Sequence, residues 1–437
     1  MRTIDKTLGN GGALLTALLI LTSQSPAQNS SPGLATLYSF KGSPNDGRDP
    51  IAGIAIGSGG VLYSTTFFGG ASGLGTVFSL TPPASPGAPW TESVLHSFAG
   101  GAGDGAQPDY TGVAVGSGGV LYGLTYLGGP SNTGTVFSLT PPASPGGAWN
   151  ENLLYSFGAP NSSQYFPEST PVIGSGGVLY GTAQGGTANK GVVFSLTPPS
   201  SPGGPWIEAV IYSFLGAPSD GAGPYGGLVI ASDGVIYGTT ESGGSRCAGD
   251  GCGTVFSLAP PASPGGPWTE TVLYNFAGLP VDGYAPTVGV AIGNGGVLYG
   301  TTNVGGTGPS CVNYGCGTVF SLSPLAAPGG AWTETVIHNF TGGSDGGYPW
   351  GGVAVGTGGV LYGTTQSFGA SNLGVVFSLT PPASPGGAWT ENVLYSFTGP
   401  HGNRPEASVV IGPGDLLYGT TEGGGSSHKG TVFALKP

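Results

Sequence analysis

One short motif returns seven times along the chain. VLYGTT or a close variant is centred on Tyr63, Tyr122, Tyr180, Tyr237, Tyr299, Tyr362 and Tyr418, at intervals of 59, 58, 57, 62, 63 and 56 residues. A period this even signals one supersecondary unit that buries its apolar face only against copies of itself. Within a unit four strand-like runs recur, as in GVAVGSGG (112–119), VLYGLT (120–125), GTVFSLTPP (134–142) and AWNENLLYSF (148–157). The 90 glycines and 39 prolines punctuate these runs at the same period, so they read as tight turns rather than disorder. Four short strands per repeat predict an all-β, seven-bladed β-propeller of four-stranded blades.

The chain ends sharpen this. LATLYSF (Leu34 to Phe40) matches the fourth strand of a unit, whereas GTVFAL (Gly430 to Leu435) matches the third. The N-terminal strand is therefore expected to join the last blade and close the ring, leaving no open sheet edge. Tryptophan opens the fourth strand in six units (Trp90, Trp149, Trp206, Trp268, Trp332, Trp389) and is missing only from the N-terminal copy. A linear β-solenoid, the alternative, offers no reason for such a permuted start.

Residues 34–437 are thus expected to form a single propeller domain. Ahead of it, Arg2 and Lys6, the apolar run Ala13 to Leu21 and the small residues Ser25-Pro26-Ala27 read as an export signal over 1–27, followed by a short leader, 28–33. An uncleaved anchor is the other reading of that run. No later run is long enough for a membrane span, so the mature chain is expected outside the cytoplasm, in the periplasm, at the cell surface or secreted, as a monomer. In such a compartment Cys247 with Cys252, and Cys311 with Cys316, point to two disulfides in matching loops; a zinc clasp is the alternative. With 7% charged residues and a net charge of −12, no basic stripe is present for a nucleic acid.

The pattern G-x-LYGTT, GG, GTVF and W-T-E-x-VLYSF, running over residues 34 to 435, resembles the GloVer (Gloeobacter/Verrucomicrobia-type) tandem repeat of exported bacterial proteins. The resemblance implies a secreted repeat protein with no established activity. Members often carry a surface anchor, which the sequence after TVFALKP does not show.

Function is sought where units differ. The first-to-second turn (GSGG) and the third-to-fourth connection (PPASPGGAW) hardly change and share one face; the other two loops hold the variation and both cysteine inserts, and binding residues concentrate on such loops. Five fourth-to-first loops read D-G-x-x-P, from Asp46, Asp104, Asp220, Asp282 and Asp345, with Ser163 and His401 instead in units three and seven. The pattern suits Asp-capped turns, a calcium-binding ring being the alternative; no other metal or cofactor is expected.

The residue after that proline reads Ile51, Asp109, Glu168, Tyr225, Thr287, Trp350 and Glu406, and is expected to ring the channel mouth. With the flanking Tyr165, Tyr284, Tyr348 and Arg48, these acids and aromatics suit a glycan, or a protein ligand. Alternatively the aromatics simply plug the channel.

His401, Arg404, Glu406 and His428, near Glu422, Lys429 and Arg48, form the densest polar cluster and are the candidates for catalysis, as in a polysaccharide lyase or glycoside hydrolase. A structural envelope protein with no site is the third reading. The repeated Glu92, Glu151, Glu208, Glu270, Glu334 and Glu391 are expected to serve as charges on the outer blade edge.

Overall fold

The computed structural model describes residues 33–437 apart from 86, 145, 159–163, 202, 264, 312, 325–330 and 385. The expected export signal, most of the leader and Ser163 lie outside the described residues. Each repeat folds into one antiparallel sheet; in the second blade the strands are Val113–Val115, Leu121–Thr125, Thr135–Thr140 and Asn150–Ser156, from the inside outward. Seven such sheets follow one another, the third gaining an extra strand, Gln164–Pro167. In the last blade Ala35–Ser39 pairs with Thr431–Leu435, so the ring closes through the N-terminal strand. Among the described residues no helix is long and apolar enough to cross a membrane.

The tyrosine, glycine and threonines of VLYGTT meet specific partners, Tyr362 alone lacking its tryptophan. The tyrosine packs edge-on against the next blade's tryptophan, as Tyr63 does on Trp149 at 6.0 Å between centroids and Tyr418 on Trp90 at 6.1 Å. The glycine leaves room for the phenylalanine of the adjacent third strand: a Cβ on Gly123 would sit 2.3 Å from the Phe137 ring. The penultimate threonine reaches the next blade, Thr65 donating to the Thr111 carbonyl at 2.8 Å and Thr420 to that of Ala52 at 2.9 Å. The last threonine meets a third-strand threonine, as in Thr125 with Thr135 at 2.7 Å. In the third blade both members of that pair become apolar, Ala183 opposite Val192, which keeps the buried hydroxyls matched.

The core lies between blades. The phenylalanine ending each outer strand packs edge-to-face on the third-strand phenylalanine of the next blade, from Phe98 on Phe137 at 5.3 Å to Phe40 on Phe78 at 5.0 Å, the contact that closes the circle. All fourteen rings are fully or almost fully buried. The blade without a tryptophan leaves a hollow of about 170 Å³ beside Tyr362 and Ile411.

Two disulfides, Cys247–Cys252 and Cys311–Cys316, each close their own loop, with Cα atoms 5.5 and 5.3 Å apart, so the zinc clasp does not form. The Asp-Gly turns are caps. Asp46 accepts from the Lys41 and Gly47 amides, each at 2.7 Å, and from the Tyr38 hydroxyl at 2.9 Å; Asp220 and Asp282 repeat the pattern. His96, standing where other units have tyrosine, contacts Asp104 at 3.2 Å. The carboxylates face their own turns and outer strands rather than one another, so they build no calcium ring.

The outer-strand glutamates differ from expectation. They are tucked against the preceding blade rather than free on the edge: Glu92 lies beside Tyr38 and feels Asp46. Burial, then Asp46, pushes Glu92 up to about 7, and Glu270 and Glu334 rise to about 7 beside Asp220 and Asp282 for the same reasons.

Candidate functional site

The two variable loops of a unit lie together on one face. In the first blade Gly47–Arg48 pairs with Phe68–Gly69, and equivalent ribbons join these loops in the second, fourth and fifth units. The residue before each loop proline is locked in the left-handed region: Asp49, Gln107, Phe166, Gly223, Ala285, Tyr348 and Arg404 have φ between 50° and 67°. Six are not glycine, so the ring holds strain that the surrounding bonds must fix. The amide of each bonds to the preceding blade, as Gln107 does to the Leu74 carbonyl at 2.7 Å and Asp49 to that of Lys429 at 3.0 Å. In six units its carbonyl receives the amide that follows the second strand, for example Tyr126 to Gln107 at 3.0 Å.

The residue after each proline is thereby aimed at the axis. Ile51, Asp109, Glu168, Tyr225, Thr287, Trp350 and Glu406 all line one cavity of about 430 Å³. Tyr110, Glu241 and the hydroxyl residues Ser169, Thr170 and Ser408 line it too. Tyr110, itself at φ 50°, reaches across the mouth: its hydroxyl donates to Glu406 at 3.2 Å and its ring lies nearly parallel to Trp350, 13° off, with centroids 6.1 Å apart. This pair roofs one side, and Tyr225 stands in the wall farther round. The aromatics therefore narrow the mouth without filling it.

Among the described residues the lining includes four carboxylic acids and no lysine, arginine or histidine. Burial, then Glu406, pushes Asp109 up to about 6. Burial takes Glu168 to about 8, against a hydrogen bond from Gln184 and with Asp109 and Glu241 adding repulsion. Burial raises Glu241 as well, and burial followed by Glu168 takes Tyr225 to about 12. Glu406 is held from outside the cavity by Gln366 at 2.5 Å and Arg404 at 3.4 Å, and Arg404 also pairs with Glu422 at 2.8 Å.

The other sequence candidates lie elsewhere. Tyr165 bonds Asn189, Tyr348 tilts against Phe368, and Tyr284 is exposed near the first disulfide loop; none lines the cavity. Arg48 lies over Phe68 at 4.7 Å and pairs with Asp49 at 3.1 Å. His401 contacts Thr36 at 3.1 Å on the outer strand, and His428 is exposed at a loop tip. Of the expected catalytic cluster the structure brings together Arg404, Glu406 and Glu422. Neither histidine touches them among the described residues. No three His, Cys, Asp or Glu side chains among the described residues are grouped to hold a metal ion.

A second variable column escaped the sequence reading. The residue after each VLYGTT copy reads Phe67, Tyr126, Gln184, Glu241, Asn303, Gln366 and Glu422; of these Gln184 bonds Glu168, Gln366 bonds Glu406 and Glu241 joins the cavity lining. Tyr110 also left a signal, since the equivalent residues elsewhere are Ala52, Ser169, Gly226, Val288, Gly351 and Ala407.

The sequence model of the Gloeobacter/Verrucomicrobia repeat matches residues 25–250 and 309–437. The chain belongs to this repeat family. The Gloeobacter/Verrucomicrobia repeat continues structurally through the unmatched stretch, which holds the strands Thr254–Ala259, Thr269–Asn275 and Leu298–Thr302 in their usual places. A search of curated proteins finds no match. Among solved structures, a polysaccharide lyase described as an ulvan lyase is 9% identical, with 92% of this chain and 95% of that one covered at a TM-score of 0.50. A putative glucose dehydrogenase from Thermus thermophilus is 17% identical over 92% of this chain and 100% of its own, at 0.39. A Trypanosoma rangeli sialidase is 11% identical over 92% and 58%, at 0.41. At such identities the likeness is one of fold.

Proposed function

We propose that this protein is exported and binds a glycan in the central cavity of its variable face. The observation that carries the reading is that the seven post-proline positions, the ones that refuse to repeat in an otherwise repetitive chain, all line a single cavity. Its size falls within the range of small-ligand sites, and aromatic faces among hydrogen-bonding groups match a sugar's C–H faces and hydroxyls. The two disulfides suit an oxidising compartment.

Catalysis by His401 finds no support, because that side chain sits on the outer strand. A lyase acting on uronates would also have to place a substrate carboxylate among Asp109, Glu168, Glu241 and Glu406 with no lining cation to receive it.

The test is a glycan array followed by calorimetry on each hit. Trp350→Ala and Tyr225→Ala are each expected to weaken binding by about tenfold or more with little change in melting temperature. Wild-type affinity in both variants would remove the cavity from the reading. Release of reducing sugar or unsaturated uronate from a bound polysaccharide would make the protein an enzyme instead.

A further inference from the structure

We infer that the cavity selects a saccharide carrying a protonated amine, such as a run of glucosamine units. The inference rests on the glycan-binding reading and narrows it. Three observations carry it, beginning with the uniform sign of the lining. Asp109, Glu168, Glu241 and Glu406 converge on one space with no basic side chain among the residues that line it.

The second is that the available cations are committed elsewhere. Arg404 is shared between Glu406 and Glu422 at the rim, while Arg48 pairs with Asp49. Among the described residues no ion pair reaches Asp109, Glu168 or Glu241. Carboxyl groups withdrawn from water without a counter-charge are costly to ionise, and a bound ammonium group reduces that cost. Burial first, with repulsion from Glu406 on Asp109 and from Asp109 and Glu241 on Glu168, raises their proton affinities, and burial alone raises that of Glu241.

The third is the aromatic surface. Tyr110 and Trp350 present nearly parallel rings at the mouth, and Tyr225 lines the wall. Ring faces attract an ammonium group through their quadrupole and also accept the C–H face of a pyranose. An amino sugar uses both surfaces with one rigid ring. A uronate would add a further negative charge, and an N-acetylated or neutral sugar would bring no counter-charge to Asp109, Glu168 and Glu241. A lysine side chain brings the charge, but it lacks the flat face and gives up more rotamer freedom than a rigid sugar ring.

The experiment is calorimetric titration of the full mature chain with short oligomers of glucosamine, N-acetylglucosamine and galacturonate, and with oligolysine of matching charge. Glucosamine oligomers are expected to bind about tenfold or more tighter than their N-acetylated counterparts, and galacturonate oligomers not at all. Combining Asp109→Asn with Glu168→Gln should abolish the preference for the amine, so that the glucosamine and N-acetylglucosamine oligomers bind the variant with affinities within about twofold of each other. These exchanges conserve shape; should the pair fail to fold, Glu241→Gln alone gives the same readout with a smaller loss. Equal affinity for the amine and acetamide forms, lost in Trp350→Ala, overturns this inference and leaves glycan binding standing. Absence of binding to every sugar overturns both. Oligolysine binding as tightly as the glucosamine oligomer overturns the choice of a saccharide.

Discussion

Gly430→Ala is expected to destabilise the folded ring by about 2–5 kcal/mol, seen as a lower denaturant midpoint with an unchanged slope. Gly430 has a φ of 94°, and a Cβ there would lie 2.3 Å from Cδ of Pro50 and 2.6 Å from the Thr421 carbonyl oxygen. Left-handed backbone costs an alanine about 1–2 kcal/mol, and forcing apart a packed contact adds about 1–3 kcal/mol. The same approach occurs at every blade junction, with Gly75 under Pro108, Gly134 under Pro167, Gly191 under Pro224, Gly253 under Pro286, Gly317 under Pro349 and Gly374 under Pro405. Gly430 is the copy that joins the last blade to the first.

A second glycine separates the two costs. Gly118 in the opposite-face turn has a φ of 69° with nothing within 4 Å of its absent Cβ, so Gly118→Ala should show only the backbone cost of about 1–2 kcal/mol. If Gly430→Ala is no worse than Gly118→Ala, the proline latch does not hold the ring together.

That latch also explains what could be read from the sequence and what could not. Period, strand count and the permuted ends are local patterns, and the propeller with its closing strand follows from them because each strand repeats its own apolar alternation. The post-proline column could be read for the same reason, since a non-repeating residue beside a repeating proline stands out. The coupling between columns was hidden. Glu168 and Gln184 are 16 residues apart and meet because their loops pair across one blade, and Tyr110 meets Glu406 only because the ring brings the second blade round to the seventh. His401 failed as a member of the polar cluster for a related reason. Closeness to Arg404 in sequence placed it there, but it occupies the turn-capping position, which points outward to Thr36.

The circumference should make the fold acid-favouring. Glu92, Glu270 and Glu334 are raised from 4.5 to about 7 by burial and then by the aspartates of the preceding turns. In the cavity and at its rim, Glu168 rises to about 8, Glu422 to about 7 and Asp109 to about 6, again chiefly through burial. A carboxyl group whose folded value lies above its unfolded one holds a proton more tightly when folded. Its contribution is complete below the unfolded value and is lost as pH climbs through the folded one. Asp345 has the opposite sign: despite burial, the nearby His338 at 3.7 Å and hydrogen bonds from Thr341 and Gly343 hold it at about 2, so its contribution is lost only in strong acid. The melting temperature is therefore expected to fall by several degrees between about pH 5 and about pH 8, most steeply near neutrality. Combining Glu92→Gln, Glu270→Gln and Glu334→Gln should flatten that slope, because the amide keeps the tyrosine contact without a charge to ionise beside the aspartate. A melting temperature that is level or rises over this interval would show that the glutamates ionise freely at the blade edge.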